Sequence, residues 1–142
     1  VTVEVDPETG TVKLLKFYCV EDCGKVINPL LVDEQVRGSI VQGIGGVLFE
    51  ECRYDLNGNF LNANMADYLV PMAGEMPDIE IAHVETLTQE SELGAKGAGE
   101  AGTAGAPGAI LNAINDAISP LGASVWDQPV SPERVLKALD KY

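Results

Sequence analysis

Residues 28–52 read NPLLVDEQVRGSIVQGIGGVLFEEC, and the reading of this stretch decides the fold class. Asn28 before Pro29 is an N-cap followed by a first helical position. The asparagine side chain can take a backbone N–H of the first turn, and proline lacks only an N–H that would go unpaired there. Val32, Val36, Ile40, Ile44 and Leu48 then recur every four residues, with Val41 and Val47 widening the stripe. That spacing puts one apolar face on a helix, which the pattern carries to about Cys52.

Before the helix the period changes. Val1, Val3 and Val5 alternate with polar residues, Asp6-Pro7-Glu8-Thr9-Gly10 is turn chemistry, and Val12 to Val20 is rich in β-formers. A hairpin is expected there, ended by Asp22-Cys23-Gly24. After the helix, Asn57-Gly58 between Arg53-Tyr54 and Phe60-Leu61 signals a second hairpin with a two-residue turn. Asp67-Tyr68 and Pro71 fall in an irregular connection, and Ile79 to Thr86 alternates as a strand. Ile110, Leu111, Ile114 and Ile118 mark a second helix stopped by Pro120, and Ser131-Pro132-Glu133 opens a third through Leu139. The sum is α+β, with β-hairpins and strands packed on about three helices. No linker divides residues 1–142. The chain opens with Val inside a strand pattern, as expected of a piece of a larger chain.

Composition narrows the function. Apolar residues make up 46% of the chain, and 22 acidic against 9 basic side chains give a net charge of −13. Such a surface repels nucleic-acid phosphates and anionic lipid, and no apolar run reaches membrane-span length. Cys19, Cys23 and Cys52 lack the paired spacing of zinc or redox sites, so three reduced, partly buried thiols in a cytoplasmic protein are expected. One histidine, His83, on an alternating strand, is expected to be a packed or surface residue, and argues against a metal held by protein ligands alone.

Two places depart from the rules of a stable fold. Gly38, Gly43, Gly45 and Gly46 lie inside the long helix, where each costs about 1 kcal/mol against alanine. Three of them flank Gln42, whose amide can both donate and accept. Either they permit tight packing of the helix on the sheet, with Gln42 at the rim, or they let a ligand approach. The second place is Gly94-Ala95-Lys96-Gly97-Ala98-Gly99-Glu100-Ala101-Gly102. It matches G-x-G-x-x-G, but a dinucleotide turn must follow a strand directly, and this one does not; its fourth position would also set a carboxylate against a pyrophosphate. It is no P-loop either. What remains is a loop presenting a carboxylate and bare backbone N–H groups at a helix N-terminus, where Glu100 could also be a simple cap.

Taken in order, these stations resemble the C-terminal part of the molybdopterin-binding subunit of the xanthine dehydrogenase, aldehyde oxidase and carbon monoxide dehydrogenase family. The resemblance runs through Val5 to Gly10, Asp22-Cys23-Gly24 with Ile27-Asn28-Pro29, and Val41-Gln42-Gly43-Ile44-Gly45. It continues through Phe49-Glu50-Glu51, Asp67-Tyr68 with Pro71, Gly94 to Gly102, and Asn112-Ala113 with Asp116-Ala117. It implies that Glu100 is the base beside molybdenum, taking a proton as a water-derived oxygen attacks an electrophilic carbon. It also implies that Gln42 and Gly43, and the backbone of Lys96, Gly97, Ala98 and Gly99, lie against the cofactor. The metal would be held by the pterin dithiolene, in the molybdopterin or cytosine dinucleotide form, with no metal ligand from this chain. Iron–sulfur clusters and FAD would sit on other domains or subunits, and the remainder of the molybdenum subunit would be a partner. Aldehydes, purines, other N-heterocycles and carbon monoxide are the substrates this resemblance allows. The loop Leu87 to Glu92 lacks the prolines many members carry. The competing readings are a non-catalytic fragment with a structural or interaction role, and a nucleotide binder that would take NAD or ATP.

Overall fold

In the computed structural model, which describes residues 1–141, strands β1 (Thr2–Val5), β2 (Val12–Glu21) and β3 (Asp78–His83) form one sheet in that order. β1 and β2 are the expected antiparallel hairpin. β3 instead runs parallel to β2, which a hairpin turn cannot accomplish; the chain crosses over through helix α1 (Pro29–Leu48). Helix α2 (Ala101–Ile118) lies against α1, and α3 (Pro132–Ala138) closes the chain. Leu14, Phe17 and Ile79 of the sheet meet Val36, Ile40, Ile44 and Val47 of α1 and Ile110, Ile114 and Ile118 of α2 in one buried core. Leu14 and Phe17 differ in parity, yet both are buried. A register shift where Thr2 faces Lys16 and Val3 faces Leu14 adds a residue to β2 and turns the later positions inward.

The Asn28 side chain accepts the Leu31 N–H, as the cap reading requires. The helix stops at Leu48 rather than near Cys52. Past the C-cap Phe49, two acidic side chains are drawn into tertiary contacts: Glu50 accepts the Tyr68 hydroxyl at 2.7 Å and Glu51 pairs with Arg134 at 2.7 Å. The second hairpin reduces to a single bridge, Tyr54 to Phe60. Asp55 takes the N–H groups of Asn57 and Asn59 on one oxygen, so the loop spreads, and only Gly58 has positive φ (82°). A type I′ turn needs both central residues there. The thiols are unpaired; Cys23 is buried and Cys19 half-buried, but Cys52 is exposed, against expectation.

Glu21 ends β2 facing the helices, 6% exposed, with neither carboxylate oxygen hydrogen-bonded among the described residues. Burial pushes its pKa up, and nearby His83, its partner in the β2–β3 register, opposes this. The His83 ring is already committed through Nε2 to Asp33, 2.6 Å away. An acid whose folded pKa is raised penalises folding only where the unfolded chain ionises, so the penalty grows as pH rises from about 4.3 through the folded value. Glu21→Gln in the complete subunit is therefore expected to raise the unfolding midpoint at neutral pH, with the two proteins converging in acid. A variant less stable at neutral pH would mean that Glu21 is a charged partner of His83.

Candidate active site

The chain approaches Glu100 through a braced loop. Gly24 and Ala95 form an antiparallel bridge, in which Lys96 N–H donates to the Cys23 carbonyl at 2.7 Å and Lys25 N–H to that of Gly94 at 3.1 Å. Both glycines have positive φ, 66° and 73°, and a Cβ on Gly24 would fall on the Gly94 carbonyl oxygen. No other residue type fits at 24.

Beyond Lys96 the support thins. Among the described residues, the N–H groups of Gly97, Ala98 and Gly99 make no hydrogen bond within the chain. A Cβ built on Gly97 or Gly99 would meet nothing within 4 Å. Gln35 on α1 donates to the Gly99 carbonyl at 3.0 Å and tethers the end of this run. Glu100 follows at the N-cap position of α2, exposed, with no side-chain cap hydrogen bond. The capping alternative thus finds no bond to support it: the carboxylate is free for something else.

Helix α2 starts at Ala101, nine residues before the first apolar marker in its sequence. Its buried positions are Gly102, Ala106, Ile110, Ile114 and Ile118, a four-residue stripe whose first two members are too small to register as hydrophobic. They let the two helices approach closely. A Cβ on Gly102 would strike the Ser39 hydroxyl and come within 3.0 Å of the Ile40 backbone nitrogen; one on Gly43 would lie 2.8 Å from the Ala106 Cβ and 3.2 Å from the Thr103 carbonyl oxygen. Pro107 leaves that carbonyl without its helical donor.

This contact accounts for Gly43, whose bare face is filled by α2. Gly45 likewise packs on Glu50 and Pro71, whereas Gly38 and Gly46 face open space. Packing is therefore against a helix, not the sheet, and exposed Gln42 stands at its rim. The Thr103 hydroxyl donates to the Ser39 carbonyl at 2.9 Å, with Gln42 Oε1 3.5 Å away. Gln42 and Glu100 are thus brought to the same first turn of α2. Sequence reading missed Gln35, which no local pattern distinguishes, and Thr103, hidden among small residues.

Among the described residues, no three His, Cys, Asp or Glu side chains gather as a metal site. No described helix is long and apolar enough to cross a membrane. The arrangement instead offers a row of unpaired N–H donors at the positive end of an 18-residue helix, one free carboxylate and one amide.

Comparison with known proteins gives the context. The profile of the molybdopterin cofactor-binding domain matches residues 1–77. The large subunit of nicotine 6-hydroxylase from Paenarthrobacter nicotinovorans is 48% identical over 136 residues, 96% of this chain and 17% of that protein. The large chain of carbon monoxide dehydrogenase from Hydrogenophaga pseudoflava is 32% identical over 140 residues, 99% of this chain and 17% of the relative. Quinoline 2-oxidoreductase from Pseudomonas putida superimposes with a TM-score of 0.94 at 40% identity, covering 98% of this chain and 18% of that one. The chain therefore spans about 17% of the length of the curated relatives it matches.

Proposed function

The chain belongs to the molybdopterin cofactor-binding domain family, and from that premise we propose that it is one segment of the molybdenum subunit of a hydroxylase. The complete enzyme oxidises aldehydes, N-heterocycles or a related small substrate with oxygen derived from water, and Glu100 is its base. The observation that carries this reading is the Glu100 carboxylate, exposed at the head of α2 and unused as a cap.

The residues present fit a pterin-bound metal. Gly97 and Gly99 leave open space where a side chain would stand, so a flat ligand can lie against the backbone. The unpaired N–H groups from Gly97 to Gly99 are donors for its polar edge. Lys96 contributes its carbonyl alone, since its N–H is bonded to Cys23 and its ammonium to Asp22 at 3.0 Å. Gln42 offers an amide from α1, and Gly43 serves by letting the helices close beneath it. The bound cofactor, as molybdopterin or its cytosine dinucleotide, supplies the two-electron oxidising centre. Glu100 takes a proton from the water-derived nucleophile as that oxygen attacks the substrate carbon.

Iron–sulfur and flavin domains or subunits carry the electrons away, in the cytoplasm. The remainder of the subunit covers the outer sheet face, where Leu15, Tyr18 and Val20 are exposed. Turnover in ¹⁸O-labelled water tests the proposal on the complete enzyme. Stoichiometric molybdenum–pterin and product labelled from water are expected. An enzyme without molybdenum, or product oxygen drawn from O₂, would end it.

A further inference from the structure

We infer that Asp22 is a positioning residue for the loop that presents Glu100, an inference that rests on the reading of Glu100 as the base. Asp22 directly follows β2, and its carboxylate joins three separate segments. Oδ1 accepts the N–H of Gly24 at 2.9 Å and the N–H of Thr86, beyond β3, at 3.0 Å. Oδ2 accepts the Lys96 ammonium at 3.0 Å. These bonds, those to Thr86 foremost, hold the Asp22 carboxyl well below the usual carboxylate range.

The geometry makes Lys96 the last braced residue before the open run. Its N–H is fixed to Cys23 and its side chain to Asp22, while Gln35 holds the Gly99 carbonyl. Glu100 is the next residue. Its position is set by an anchor at 96 and a tether at 99, and the anchor depends on an ionised acid. An asparagine has one acceptor oxygen and a donor NH₂, so it can keep the two N–H groups or the ammonium, but not all three. Asp22 also engages the one cation of the loop, Lys96, and keeps it away from the Glu100 carboxylate.

The test uses the complete, cofactor-loaded subunit. Asp22→Asn is expected to lower kcat roughly 10- to 100-fold, with molybdenum content and KM unchanged. Hydrogen exchange is expected to quicken at the amides of Gly24 and Lys96. Lys96→Met, which removes the same contact from the other side, is expected to reproduce the kcat loss. The double variant should then be no slower than the slower single one. An unchanged kcat, a loss that merely tracks lost molybdenum, or fully additive losses would each overturn the inference. Glu100→Gln, assayed in parallel, keeps the two readings apart. An active Glu100→Gln sinks the base assignment, whereas the exchange rates report the hold of Asp22 on the loop in either case.

Discussion

Glu100→Gln in the complete, cofactor-loaded subunit is expected to lower kcat by about 10²- to 10⁴-fold, the range that positioned proton transfer supplies. Glutamine keeps the shape and one carbonyl oxygen but cannot accept the proton at neutral pH. Stability should barely change. The side chain is exposed and makes no cap hydrogen bond, and surface substitutions of this kind usually shift stability by less than about 0.5 kcal/mol. Molybdenum content should therefore match the parent. Activity, metal content and thermal midpoint measured together separate a lost base from a lost fold. A variant that turns over at the parental rate with full metal would remove Glu100 from the chemistry.

The second large effect is structural. Gly102→Val is expected to wedge α1 and α2 apart where Glu100 is displayed. Valine gains a few tenths of a kcal/mol over glycine in helix propensity. Against that stands overpacking of about 1–3 kcal/mol, and the obstacle here includes backbone: the added Cβ would lie 3.0 Å from the Ile40 nitrogen and 2.8 Å from Ile40 Cγ1. The clash wins, and a lower unfolding midpoint with loss of bound cofactor is expected. Gly105→Ala, three residues on, is the control. A Cβ there meets nothing within 4 Å, so helix propensity alone should stabilise it by up to about 1 kcal/mol. Equal behaviour of the two variants would contradict the close helix contact.

How much of this was legible depended on the size of the side chains that carry the pattern. In α1 the stripe is written in Val and Ile, and both its cap and its core face could be read. In α2 the same four-residue stripe begins with Gly102 and Ala106, so apolar spacing marks the helix only from Ile110, and the glycine-rich run alone suggests that Glu100 stands at its N-terminus. The Asn57-Gly58 signal was real as a turn, but Asp55 two residues earlier could reach two N–H groups and set a wider loop. Strand β3 was readable as a strand and not as a parallel partner of β2, since alternation says nothing about direction. Gln35 and Asp22 act across the fold, on Gly99 and Lys96, and sequence distance hides such contacts. The glycines around Gln42 could not be divided between packing and ligand approach until α2 was seen to lie on Gly43.

The most direct test of the central claim is the structure of the complete subunit with its cofactor bound. A Glu100 carboxylate oxygen is expected within hydrogen-bond reach, about 2.6–3.2 Å, of the water-derived oxygen that attacks substrate, with the Gln42 amide also against the cofactor. Glu100 turned away from the metal, or another carboxylate occupying that position, would contradict it.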